Sequence, residues 1–194
     1  MESMTNAPYL LQKGRGGYRM GHDKVYDHMM LDGLEDAYEA GRSMGTFGED
    51  CAAKYNFTRD AQDKFAMASV QRAQAAIKSG AFKDEIAPVT VKDRKGERVV
   101  DTDEGPGKIN VDKIPTLKPA FKKDGTVTAA ASSSINDGAA AMVLMRESTA
   151  KKLGVKPLAR IVSHATHAQE PEWFTTAPIG ATEKALEKAG WKVD

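Results

Sequence analysis

Between Thr58 and Gly80, small and apolar residues return on one helical face, and both ends carry a boundary signal. Thr58 can accept hydrogen bonds from the free amides of a first turn. Asp60 sits where the helix dipole favours negative charge, and Gly80 supplies a left-handed ending. Phe65, Ala66, Ser69, Ala73, Ala76 and Ile77 form the stripe, so the spacing predicts a helix over 58–79 that packs on a core, with Phe57 stapling its start. The pattern then changes period. Ile86, Val89 and Val91, a turn at Lys95-Gly96, then Val99 and Val100 predict β structure over 85–100.

The same alternation runs along the rest of the chain. Val25, Met29, Leu31, Leu34, Ala37 and Tyr38 predict a helix within 24–40, weakened by Gly33. Residues 101–118 read as an excursion around Gly105-Pro106-Gly107. A short strand is expected over 126–131, a buried strand over 139–145 and another over 158–162. Lys151 to Leu153 predict a brief helix ended by Gly154, and Pro178 to Ala189 a longer one ended by Gly190. No internal repeat of fixed period is visible. Helices and strands alternate, so the expected class is α/β.

Composition removes several functions. With 28 basic and 27 acidic residues the formal charge is +1, which gives no reason to expect nucleic acid or a membrane surface as partner. No apolar run approaches the ~20 residues that span a bilayer. The opening Met1-Glu2-Ser3-Met4-Thr5-Asn6 lacks the basic start and apolar stretch of a secretion signal. Cys51 is the one cysteine, which excludes an internal disulfide and makes a reducing, cytoplasmic location the default expectation.

Few residues suggest chemistry on their own. Cys51 needs a neighbour that lowers its pKa, yet Glu49 and Asp50 beside it act in the opposite sense, so an inert cysteine is expected. His22, His28, His164 and His167 form no zinc-type cluster, and the pair at 164 and 167 follows a strand pattern and precedes Pro171, as ordinary loop residues do. Asp101, Asp103 and Glu104 read as a solvated acidic turn. Gly14, Gly16 and Gly17, among Lys13, Arg15 and Arg19, match neither the dinucleotide fingerprint nor the P-loop, and read as a basic flexible loop. The run from Thr126 to Ala141 is built from small residues, with Ser132, Ser133 and Ser134 at its middle. Such a run serves either as a tight packing loop or as a wall that lets a ligand approach the backbone.

That run also carries a resemblance. Thr126-Val127-Thr128-Ala129, then Ser133, then Asn136-Asp137-Gly138-Ala139-Ala140-Ala141 resembles the loop that walls the CoA tunnel in the thiolase family. Four further stretches resemble thiolase segments in the same order. The opening through Tyr9 is similar to the segment after the family's nucleophilic cysteine, and Met20-Gly21-His22 with Met44-Gly45-Thr46 and Glu49 to the start of its loop domain. Thr58-Arg59-Asp60 with Gln62-Asp63 and Phe65-Ala66 is similar to that domain's first long helix, and Leu117 with Pro119-Ala120-Phe121 to its CoA-facing end. Together these span nearly the whole chain and are most similar to the bacterial acetyl-CoA acetyltransferases; the decarboxylating ketosynthases of the same superfold fit the loop-domain motifs less well.

The resemblance implies a part of the thiolase fold, in which two βαβαβ halves pack together and a loop domain is inserted in the first. Residues 1–155 would belong to the first half, with the loop domain at about 11–125, and residues 156–194 would begin the second. It implies acyl-CoA substrates, no cofactor beyond those coenzyme A thioesters, and a homo-oligomer when full-length. Met44, Leu117, Phe121, Ala129, Ser133 and Phe174 match positions that contact the acyl group, the pantetheine arm or the adenine. Ser43 stands where the family often has histidine, a difference that bears on acyl preference, and Lys108 is the nearest substitute for a basic residue of the excursion. The family's catalytic groups would lie before Met1 and beyond Asp194, and Cys51 matches none of them, so no catalytic residue is expected here. Met1 itself would fall inside a family strand. Two readings follow: part of an acetyl-CoA acetyltransferase, or a truncated product that binds CoA or associates with thiolase subunits.

Overall fold

A computed structural model describes residues 1–193. In chain order its strands are β1 (Tyr9–Leu10), β2 (Tyr26–Asp27), β3 (Val89–Asp93) and β4 (Gly96–Val100). Its α-helices are α1 (Met44–Lys54), α2 (Arg59–Ser79), α3 (Glu104–Lys108), α4 (Glu147–Leu153) and α5 (Ala177–Ala189). The chain divides into two compact units, one of residues 1–51 with 135–194, the other of residues 52–134.

The unit of residues 52–134 is organised by α2, whose ends obey its sequence. Thr58 Oγ1 accepts from the Ala61 amide at 3.2 Å, and Gly80 closes the helix with φ of 69°, its amide directed at the carbonyls of Ala76 and Ile77. The buried face differs from the expected stripe. Asp63, Ala66 and Val70 are buried at helical spacing, while Phe65 is 78% exposed. Ala66 and Val70 pack with Ile114, and Met67, Val111 and Ala130 close around them. Ile114 belongs to a 3-10 turn over Val111–Thr116, so the excursion after residue 101 is partly helical, and Gln74 Nε2 ties α3 to α2 through the Pro106 carbonyl at 2.8 Å. The Lys95-Gly96 turn shifts by one residue: Arg94-Lys95 form the turn, and Gly96, at φ of +124°, opens β4 opposite Asp93.

The unit of residues 1–51 and 135–194 is looser. β1 and β2 pair antiparallel, and Glu2 exchanges two backbone hydrogen bonds with Gly138 at 2.8 and 3.0 Å. The helix expected over 24–40 is reduced to one π-helical stretch, Met29–Leu34, containing Gly33. Helices α4 and α5 end at Gly154 and Gly190, both left-handed, as their sequences predict. The strands expected over 139–145 and 158–162 do not form. Val143 is 85% and Ile161 67% exposed, and among the described residues no neighbouring strand offers either segment a ladder of hydrogen bonds. The strand expected over 126–131 is likewise replaced, by a 3-10 turn at Ala129–Ala131. Among the described residues no helix is long and apolar enough to cross a membrane.

Candidate functional site

Four of the six residues singled out by sequence lie in the unit of residues 52–134, on two segments that meet. Pro119 and Thr128 form an isolated antiparallel bridge, and the Ala120 amide donates to the Val127 carbonyl at 2.9 Å. Leu117 and Phe121 flank Pro119 on one side, and Ala129 follows Thr128 on the other. The first segment is anchored from α2: Arg59 Nη2 donates to the Leu117 carbonyl at 2.7 Å, and the Leu117 amide donates to Ile114 O at 3.2 Å. The second is folded on itself, because Ser132 Oγ donates to the Thr128 carbonyl at 2.9 Å and the Ala131 amide to the same oxygen at 3.0 Å. Gln62 Nε2 fixes the start of this segment by donating to Thr126 Oγ1 at 2.9 Å.

The outcome is an anchored backbone with side chains left partly free. Leu117 is 37% and Phe121 36% exposed, and Ala129 and Ser133 are exposed as well. Small and apolar groups on a fixed backbone suit a long, mostly apolar ligand arm. Thr128 between them is fully buried, and its hydroxyl has no hydrogen-bond partner.

Met44 and Phe174 lie in the other unit, and one buried ring relates them. Met44 opens α1, and Phe47, one turn further on the same face, is 2% exposed. Phe174 meets Phe47 edge to face, with ring centroids 5.7 Å apart and planes at 79°. On Phe47 the Arg42 guanidinium sits 3.9 Å from the ring centroid. Arg42 is itself held by Glu39 at 3.0 Å, Thr46 at 3.2 Å and Asp50 at 2.5 Å. Sequence reasoning passed over Arg42 and Phe47, for nothing in a single chain pairs position 47 with position 174.

A cleft of about 380 Å³ opens beside this stack, lined by Asp36, Tyr38, Glu39, Arg42, Phe47, Glu170, Pro171 and Glu172. Neither Met44 nor Phe174 lines it. In the same unit the ring of His167 lies against Gly180, so close that a Cβ there would come 2.5 Å from Nδ1. Cys51 is free and half-buried in α1, and among the described residues no group of histidine, cysteine and acidic side chains is arranged to hold a metal ion.

The comparisons with known proteins agree with one another. Residues 1–148 match the family model for the thiolase N-terminal domain. The chain is 49% identical to an acetyl-CoA acetyltransferase of Pseudomonas aeruginosa, with 100% of the chain and 49% of that relative covered. It is 51% identical to one of Rhizobium meliloti at the same two coverages. Among solved structures, the acetyl-CoA acetyltransferase of Bacillus anthracis superimposes with a TM-score of 0.89 at 41% identity, covering 99% of this chain and 48% of that one. That of Syntrophomonas wolfei gives 0.86 at 40% identity, covering 97% and 47%. The chain thus spans about half the length of the relatives it matches, and it shares their fold. It belongs to the thiolase family.

Proposed function

We propose that the complete polypeptide carrying this chain is an acetyl-CoA C-acetyltransferase that interconverts two acetyl-CoA with acetoacetyl-CoA and free CoA by Claisen condensation and thiolytic cleavage. The observation that carries this reading is identity of about one half, sustained from end to end, with acetyl-CoA acetyltransferases. On this reading residues 1–194 supply binding surface. Leu117, Phe121, Ala129 and Ser133 border the pantetheine and adenine of CoA, and Met44 and Phe174 border the acyl group. The half-exposed apolar side chains on anchored segments support it. The resemblance also implies a homo-oligomer, with residues 1–155 in the first half of the fold and 156–194 in the second.

The chain alone is read as non-catalytic. The reaction needs one thiolate to carry the acyl group and a base to take a proton from the second acetyl group, and Cys51 is the only cysteine in the chain. The test is direct. CoA-dependent cleavage of acetoacetyl-CoA should be present in the complete polypeptide and absent from purified residues 1–194. An inactive complete polypeptide would remove the assignment, and activity in the 194-residue chain would show that its catalytic groups lie within it.

A further inference from the structure

One side chain holds the turn that presents Phe174. Gln169 Nε2 donates to the Trp173 carbonyl and, at 2.7 Å, to Thr176 Oγ1, while Thr176 Oγ1 donates to that same carbonyl at 3.0 Å. The turn is a 3-10 helix over Pro171–Thr176 that kinks at Trp173, where φ is −102° and ψ 20°. Backbone bonds run from the Trp173 amide to the Glu170 carbonyl at 2.9 Å and from the Ala177 amide to the Phe174 carbonyl, and the side chain of Gln169 adds its two bonds to this frame. Phe174 leaves the turn directly after the clamped carbonyl, and its ring then runs into Phe47.

Phe47 is itself braced, although one side of it borders the cleft. Its ring is buried, with the Arg42 guanidinium on it, and that guanidinium is fixed by Glu39, Thr46 and Asp50. Phe174 is therefore gripped at its backbone and blocked at its ring, with 39% of its surface left free. We infer that the Arg42–Phe47 stack is the rigid backing of Phe174, that Gln169 is the positioning residue of its turn, and that together they set the longest acyl group the enzyme accepts. The inference rests on the reading that Phe174 borders the acyl group. A longer chain needs Phe174 to retreat, and with its backing in place the buried ring of Phe47 stands in its way.

The experiment compares thiolysis of acetoacetyl-CoA and of 3-ketohexanoyl-CoA, two methylenes longer, by the complete polypeptide. A methylene in a fitted apolar pocket is worth roughly tenfold or more in discrimination. Phe47→Ala should shift the ratio of the two kcat/KM values toward the longer substrate by at least about tenfold, mainly through KM. Gln169→Leu, which keeps bulk but loses both donors, should shift it the same way by about threefold, and Phe47→Leu should return most of the wild-type ratio. Taking both rates on one preparation cancels any loss of folded enzyme, and should Phe47→Ala be insoluble, Gln169→Leu decides alone. Ratios within twofold of wild type, or equal losses on both substrates, would overturn the inference while leaving the acetyltransferase reading intact. A wild-type polypeptide inactive on both substrates would remove that reading and the inference with it.

Discussion

Arg59 grips Asp63 one helical turn away: its Nε lies 2.9 and 2.8 Å from the two carboxylate oxygens, and its Nη2 reaches across to the Leu117 carbonyl. Asp63 is buried and Arg59 is only about a quarter exposed, so this pair is poorly screened compared with the surface pairs of the chain. It links α2 to the segment carrying Leu117 and Phe121. Asp63→Ala should therefore destabilise the unit of residues 52–134 by about 1–3 kcal/mol, because the guanidinium loses its charged partner. Urea denaturation followed by far-UV circular dichroism measures it. A change under about 0.5 kcal/mol would mean that water replaces the carboxylate at no cost.

Thr128 offers the opposite case. Its buried hydroxyl makes no hydrogen bond, so it carries a desolvation cost without return. Thr128→Val keeps the branched shape and removes the oxygen, and the melting midpoint should rise, by an amount corresponding to about 1 kcal/mol. A fall would show that the hydroxyl has a partner in solution.

Much of α2 was legible because its signals are local. Thr58 and Gly80 act on amides and carbonyls within one turn, and they do so whatever the rest of the chain does. The apolar runs over 139–145 and 158–162 mislead for the converse reason. A strand is defined by its neighbour, and among the described residues these runs have none, so their β-favouring composition has nothing to pair with. Phe65 shows the limit of periodicity, since it is exposed while the expected stripe shares only Ala66 with the face that Asp63, Ala66 and Val70 bury. The six residues named from sequence came from family motifs. Phe47 meets one of them, Phe174, from a distant part of the chain, and no local pattern announces that contact.

The unpaired runs make a prediction of their own. Met142, Val143, Leu144, Leu158 and Ile161 are each more than 60% exposed. Purified residues 1–194 should bind a dye such as ANS and sediment partly as aggregates. A monomer with a sharp cooperative melt and no dye binding would mean these segments find cover within the chain.

Lys13 and Asp23 give a pH effect with a definite sign. Their ion pair spans 2.9 Å, and the hydrogen bond from Lys13 is the main cause that holds the Asp23 carboxyl below its ordinary range, followed by that from the Lys24 amide. A lowered folded-state value means the contribution is present above the unfolded value, near 4, and is lost as pH falls through the depressed one. An NMR titration of the Asp23 carboxyl should thus show a midpoint below that of a free aspartate, moving back up in Lys13→Ala. An unmoved midpoint would exclude the pair from solution.

Ser133 tests the proposed binding wall in the complete polypeptide. If the segment lies along pantetheine, Ser133→Phe should raise KM for CoA substrates severely by blocking the path. Ser133→Ala loses at most about one hydrogen bond, a threefold to tenfold effect that should fall on KM, since the contact is made in ground and transition states alike. Near-normal kinetics for the phenylalanine variant would take the segment away from the ligand.

The His167 ring against Gly180 ties two positions into a single choice. Gly180 is glycine for want of room, as its φ lies outside the left-handed region, so any side chain there needs the ring at 167 to leave. Relatives that carry a larger residue at the position of Gly180 should carry a small one at that of His167, and those that keep a ring at 167 should keep glycine at 180. The two exchange volume across the fold, and such a pair can drift during descent only by changing together.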